Sequence, residues 1–217
     1  RFVKTVRYSV GDGQEPSANV TDNNTFTVSG ISNGQTVTII TPLPTGTYSV
    51  SETAGSGNRY TYDPSITGDG NLAKDSEVSF TATNTPQMGK LKIEKEVIAP
   101  SGMDITDKFS FTVSGFNGVK TVTDTTGQEY SVEDGSISLT LADGESVVLV
   151  VPAGKTYTVT EDDGSGKVTV GEHTYTVDDA SQSASVAQGS ETSLTFTNTI
   201  ADEAEITVEK KWVNDDE

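Results

Sequence analysis

The chain has 217 residues, enough for one large or two small domains. Lys and Arg number 14 against 32 Asp and Glu, a formal net charge of −18, which argues against nucleic acid, whose phosphates need cationic partners, and against an anionic membrane surface. Cysteine is absent and His173 is the only histidine, so disulfides, thiolate metal sites, a Cys nucleophile and a His-rich metal site are excluded.

No apolar run approaches the roughly 20 residues of a membrane span. No signal peptide, lipidation site or sorting signal is visible, so the sequence reads as a mature fragment. The texture is β throughout. Thr, Val, Ser, Tyr and Phe alternate in short runs punctuated by Gly, Asp and Asn. In chain order the alternation predicts strands at Thr25–Val28, Thr36–Ile40, Thr47–Ser51, Ser79–Thr83, Phe109–Val113 and Ser136–Leu141. It predicts further strands at Ser146–Val151, Thr156–Thr160, Lys167–Val170 and Ser193–Thr197. Asp179–Gly189, rich in Ala, Ser and Gln, reads as a loop or a single helical turn. Many short strands with frequent turn signals point to sandwiches.

The chain repeats itself. Phe26–Gly30 and Phe111–Gly115 both read FTVSG. GTYSVSE at Gly46–Glu52 returns as GKTYTVTE at Gly154–Glu161, and TNT at Thr83–Thr85 returns at Thr197–Thr199. FVKTV at Phe2–Val6 is matched by IEKEV at Ile93–Val97 and again by VEKKW at Val208–Trp212. The order Lys strand, FTVSG, TYxVxE, TNT therefore occurs twice and starts a third time. The second copy is longer between FTVSG and TYxVxE, where Phe116–Gly135 is expected to add a hairpin. The expected domains are 1–87 and 88–201. Residues 202–217 are expected to be an acidic linker and the first strand of a truncated third domain, with Trp212 in that domain's core. The joint near Pro86–Gly89 is short, which places the two domains end to end.

In a strand, residues i and i+2 share a face. Lys4, Glu52 and Asn84 then share faces with apolar neighbours, as do Lys95, Glu161 and Asn198 in the second copy. A lone buried charge is costly, so the three groups of each set should meet. A free lysine, with a pKa near 10.4, is almost wholly protonated at pH 7. Desolvation lowers that value and leaves some neutral, nucleophilic amine. A buried carboxyl moves the other way and can donate to the Asn carboxamide oxygen. The amine then attacks the carboxamide carbon, ammonia leaves, and an amide joins Lys to Asn in a single turnover of the fold on itself. The plainer reading of each set is a buried ion pair with an Asn hydrogen bond.

These motifs resemble tandem Gram-positive surface-protein domains of the Cna-B and streptococcal-pilin isopeptide-linkage type. The carriers are FVKTV and LKIEKEV for the Lys strand, LPTGTYSVSE and VPAGKTYTVTE for the stretch leading to the acid, FTATNTP and LTFTNT for the Asn strand, and ITVEKKW. The resemblance spans nearly the whole chain. It implies all-β, tandem immunoglobulin-like sandwich domains, each with a Lys–Asn isopeptide bond assisted by the acid: Lys4–Asn84 with Glu52, and Lys95–Asn198 with Glu161. There is no sortase-type LPxTG signal and no pilin-type YPK lysine. Lys92 falls on the opposite face from Ile93, so Lys95 is the better assignment.

Other residues read more plainly. His173 is a surface strand or turn residue. Asp69, Asn71 and Asp75 sit in a polar loop that misses the EF-hand spacing. Gly55–Gly57 and Gly164–Gly166 are hairpin turns, since neither opens a helix. The expected function is a mechanical stalk or shaft segment of a surface adhesin or pilus, outside the cell and attached to the wall of a Gram-positive bacterium. The alternative is an adhesin module binding a host protein or glycan through the 116–135 insertion. A hydrolase is the weakest reading, with one His and no G-x-S-x-G elbow. No enzyme turnover, cofactor, metal, nucleic acid or membrane insertion is expected, and the expected partners are neighbouring domains of the same polypeptide.

Overall fold

The computed structural model describes residues 3–11, 13–53, 59–161, 165–200 and 208–210. The third-domain expectation at 202–217 falls largely outside them, as does Trp212. The described residues are all-β, with no helix long and apolar enough to cross a membrane. The chain divides into two compact units: Arg1–Glu52 with Ile66–Ala82, and Thr53–Ser65 with Thr83–Glu217.

In the first unit β1 (Thr5–Val10) is flanked by β2 (Ser17–Asn19) and β3 (Val37–Ile39), both antiparallel to it. β4 (Gly46–Thr47) pairs with β6 (Asn71–Leu72), while β5 (Tyr62–Thr67) pairs with β7 (Thr81–Pro86), each strand being divided between the two units. Among the described residues of this unit, Val6 and Tyr8 are the buried hydrophobics. The FTVSG segment at Phe26–Gly30 is not in a ladder, although its sequence predicts a strand. The chain that follows it offers only three strand residues, and β3 spends those on β1.

The second unit is a sandwich. Its larger sheet holds β8 (Met88–Ile98), β10 (Thr121–Asp124), β11 (Glu129–Ser131), β13 (Ser146–Pro152), β15 (Lys167–Val170), β16 (His173–Val177) and β18 (Glu191–Ile200), in the spatial order β11-β10-β13-β8-β18-β16-β15. The facing sheet holds β9 (Lys108–Ser114), β12 (Ser136–Ala142), β14 (Lys155–Thr160) and β17 (Ser181–Val186), in the order β12-β9-β14-β17. All neighbours are antiparallel except β8 and β18, which run parallel from Lys90 opposite Glu191 to Ile98 opposite Thr199. The first and last strands of the sandwich thus lie side by side.

Strict alternation builds the core, because successive side chains point to opposite faces. Leu91 and Ile93 of β8, Leu149 and Val151 of β13, and Phe196 of β18 point inward. They meet Phe109, Phe111 and Val113 of β9, Tyr157 and Val159 of β14, and Ile137 of β12. β17 replaces the expected loop or helical turn. Ala184 and Val186 point into the core while Ser181, Ser183 and Ser185 point out. Those serines hydrogen-bond Thr160, Thr158 and Thr156 at 3.1, 2.8 and 2.9 Å. A period of two written in small residues is easily mistaken for a helix or loop. The 116–135 segment contains the β10–β11 hairpin, with Thr121 opposite Ser131.

Gly89 shows how closely the layers meet at the start of β8. A Cβ there would overlap the Ala187 carbonyl oxygen and Val186 Cγ1. Gly89→Ala should therefore destabilise the unit by about 1–3 kcal/mol, the usual cost of overpacking. Urea unfolding checks this: the midpoint should fall with an unchanged slope.

Candidate functional site: a buried lysine, carboxyl and carboxamide

Three polar side chains enter the second unit's core from three strands. Lys95 follows Leu91 and Ile93 along the inward face of β8 and is 1% exposed. Asn198 lies two residues beyond Phe196 on β18 and is 0% exposed. Glu161 follows β14 on the facing sheet, where its N–H donates to the Ala180 carbonyl at 2.9 Å and its side chain is wholly buried. The strand leading to it is anchored by Tyr157, whose hydroxyl donates to the Pro152 carbonyl at 2.7 Å. The same device recurs in the first copy, where the Tyr48 hydroxyl donates to the Pro44 carbonyl at 2.8 Å. Proline supplies the carbonyl at the turn and tyrosine ties the turn to the strand.

One carboxylate oxygen collects both nitrogens. Asn198 Nδ2 donates to Glu161 Oε1 at 2.6 Å, and Lys95 Nζ lies 3.3 Å from the same atom. Nζ also donates to the Phe196 carbonyl at 3.3 Å and sits 4.4 Å from the centroid of the Phe109 ring. Burial pushes the Lys95 amine below the ordinary lysine range, against the opposing pull of Glu161 and, further away, of Asp143 and Asp178. Asn198 Oδ1 is buried with no hydrogen-bond partner among the described residues. A half-turn of the carboxamide would exchange Oδ1 and Nδ2, bringing the oxygen to Glu161. A protonated carboxyl there would donate to it and polarise the carbon.

The first set is arranged differently. Lys4 and Asn84 are exposed and Glu52 is half-buried. Lys4 and Glu52 fall in the first unit and Asn84 in the second. Among the described residues, Val6 and Tyr8 are the buried hydrophobics of the first unit. Lys92 lies on the other face of β8 and pairs with Glu94. Asp69 Oδ1 accepts from the Asn71 N–H at 3.0 Å, a local turn.

A second cluster had no signal in the sequence. Asp107, in the connection before β9, accepts from the Tyr175 hydroxyl at 2.5 Å and lies 2.9 Å from His173 Nδ1. The partners are 68 and 66 residues away in the chain, so only tertiary folding brings them together.

The model of the DUF7601 family, a domain of unknown function, matches residues 89–200. The chain belongs to the DUF7601 family. No curated protein matches it. Among solved structures this DUF7601 chain is similar to the pilus-presented adhesin Spy0125 (Cpa), at 26% identity over 53% of this chain and 28% of that one, with a TM-score of 0.40. The chain thus spans little more than a quarter of the adhesin's length. It is also similar to the major pilin T-13 of Streptococcus pyogenes, at 19% identity over 91% of this chain and 90% of that one, with a TM-score of 0.43. Another S. pyogenes major pilin has 16% identity over 90% of each chain and a TM-score of 0.39.

The Tyr175 and His173 bonds hold the Asp107 carboxyl below the ordinary aspartate range. A carboxyl depressed in the folded state stabilises above its unfolded pKa, near 3.9, and that contribution disappears as pH falls through the folded value. Wild type should therefore lose more stability than Asp107→Asn between pH 6 and pH 2. Thermal unfolding across that range checks it, and parallel curves would remove Asp107 from the acid response.

Proposed function

We propose that this DUF7601 chain is a load-bearing segment of a Gram-positive surface fibre, stapled by autocatalytic Lys–Asn isopeptide bonds. The observation that carries this reading is the convergence of Lys95 and Asn198 on Glu161 Oε1 in a water-excluded core. In the proposed reaction a proton moves from Lys95 Nζ to Glu161, turning a buried ion pair into a neutral amine and acid. The Nζ lone pair attacks Asn198 Cγ while the acid donates to the carboxamide oxygen. The tetrahedral centre collapses, the Cγ–Nδ2 bond breaks, and the protons lost by Nζ leave on ammonia. The products are one secondary amide and one ammonium ion, which carries both protons lost by Nζ, with the Glu161 carboxylate regenerated. The chain is its own substrate and turns over once. The repeated motif order extends the proposal to Lys4, Asn84 and Glu52.

The placement of the bond supports a mechanical role. β8 and β18 are the sandwich's first and last strands, hydrogen-bonded in parallel. Tension entering at the start of β8 and leaving at the end of β18 loads that ladder in shear, and a Lys95–Asn198 amide carries it covalently. By the chain-entropy estimate, closing a loop of about 100 residues is also worth about 4.7 kcal/mol. The 116–135 insertion favours the structural role over ligand binding. Val122 is buried, and Tyr130 and Val132 pack against the core. The partners of such a segment are neighbouring domains and subunits of the same fibre, on the outside of the cell.

Intact mass tests the chemistry. The purified chain should weigh less than its sequence by two ammonia molecules if both sets react, or by one if only the Lys95 set does. Glu161→Ala should restore one. A chain of full sequence mass would leave only the buried ion pair.

Single-molecule pulling tests the role. The bonded second unit should not lengthen between Lys95 and Asn198, whereas Glu161→Ala should extend through that span. Equal extension of the two chains would remove the basis for load bearing.

A further inference from the structure

The β12–β13 turn, Ala142 to Glu145, grips β8 at the residue that carries the amine. The β8–β13 ladder ends with Ser146 opposite Glu94. Beyond that point the turn takes over. The Lys95 N–H donates to the Glu145 carbonyl at 3.0 Å, and the Gly144 N–H donates to the Lys95 carbonyl at 2.9 Å. The Val97 N–H donates to Asp143 Oδ1 at 2.7 Å. The turn is itself closed by the Ala142 N–H on Glu145 Oε2 at 2.8 Å and by the Glu145 N–H on the Ala142 carbonyl at 3.1 Å. Gly144 sits at φ +70°, a conformation that glycine adopts without strain. Two of these three contacts with β8 use backbone atoms that any sequence would supply. The Asp143 carboxylate is the one side chain among them.

We propose that Asp143 is a positioning residue for the Lys95 nucleophile: by accepting the Val97 N–H it fixes the strand segment from which the amine reaches Glu161 and Asn198. This rests on the cross-linking reading of the same site. The reason is geometric. On its other edge β8 is held by β18, with Lys95 opposite Phe196 and Val97 opposite Asn198. Without the Asp143 bond the turn still holds the Lys95 backbone through its two main-chain bonds, but the strand just beyond, at Val97, is held on the β18 edge alone. A lysine has four rotatable bonds, so a small swing of its Cα moves Nζ well away from an attack distance of about 3–3.5 Å. Asp143 is exposed and its bond is to the Val97 backbone, so its role is reach and orientation.

The experiment separates folding from bond formation. The unaltered chain and the variants D143N, D143A and D143E are made by cell-free translation and sampled over time. Protease resistance reports folding. Tandem mass spectrometry of the Lys95–Asn198 cross-linked peptide reports the bond. D143N keeps an acceptor at the same reach and should bond within about twofold of the unaltered rate. D143A loses the acceptor and D143E displaces it by one methylene. Both should become protease-resistant on time yet bond on the order of tenfold to a hundredfold more slowly. If D143A does not fold, D143E carries the comparison. Bonding of D143A and D143E at the unaltered rate would overturn the role. So would D143N as slow as D143A, or protease resistance delayed by the same factor as the bond. If the unaltered chain folds but never loses ammonia at this site, the cross-linking reading itself fails, which is a distinguishable result.

Discussion

The second unit is organised around one expensive object, a lysine amine with no access to water. Burying such a charge is unfavourable by several kcal/mol unless something pairs with it. Glu161 supplies the pairing and Asn198 completes it. Each element of the sandwich can be read by what it does for that cluster. β8 delivers the amine, β18 the carboxamide, and β14, anchored through Tyr157, the acid. Phe109 roofs the amine from the facing sheet and is held edge-on by Tyr175 with ring centroids 5.0 Å apart. Tyr175 is in turn tied to Asp107. The aromatic layer that excludes water from the amine is thus anchored at a polar, half-exposed rim.

Register makes the meeting possible. Lys95 and Asn198 are not directly opposite one another, since Lys95 faces Phe196 and Asn198 faces Val97. The two-residue offset lets the long lysine side chain run diagonally toward the shorter carboxamide. A slip by one residue on either strand would turn one of the pair to the outer face. The flanking inward residues Leu91, Ile93 and Phe196 hold the register, because any slip would also expose them. Hydrophobic pattern and reactive geometry are therefore a single constraint.

Much of this was legible in the sequence, because alternation reports side-chain parity directly. The inward faces of β8 and β18 could be read from alternate residues, and the strands at 109–113, 136–141, 146–151 and 156–160 correspond to β9, β12, β13 and β14. What was not legible depended on pairing. FTVSG is a core strand at Phe111–Gly115 and lies outside any ladder at Phe26–Gly30. In the second copy β12 lies along it, with Leu139 opposite Phe111 and Ile137 opposite Val113. The first copy has no described strand in that place. Local sequence sets the face that a strand would bury, but a neighbour decides whether it becomes a strand. The Asp107 cluster and the Asp143 contact were invisible for a related reason. Each joins residues distant in the chain, and neither Asp lies in a repeated motif.

The two copies also show what the longer connection contributes. The second carries the β10–β11 hairpin and then β12 between FTVSG and TYxVxE. The hairpin extends the larger sheet beyond β13, and its Val122, Tyr130 and Val132 add to the core. β12 covers the outer edge of β9, whose Phe109 lies beside the amine, and the turn that follows β12 grips the backbone of Lys95. In the first copy the corresponding chain holds β3, Lys4 is exposed, and the buried hydrophobics among the described residues are Val6 and Tyr8. An isolated Lys–Glu–Asn motif is a pattern of residue types. In the second copy apolar surface closes over it, and burial favours the neutral amine of Lys95. The extra segment of the second copy, which by position alone reads as a binding loop, adds Val122, Tyr130 and Val132 to the core and is better understood as part of what closes it.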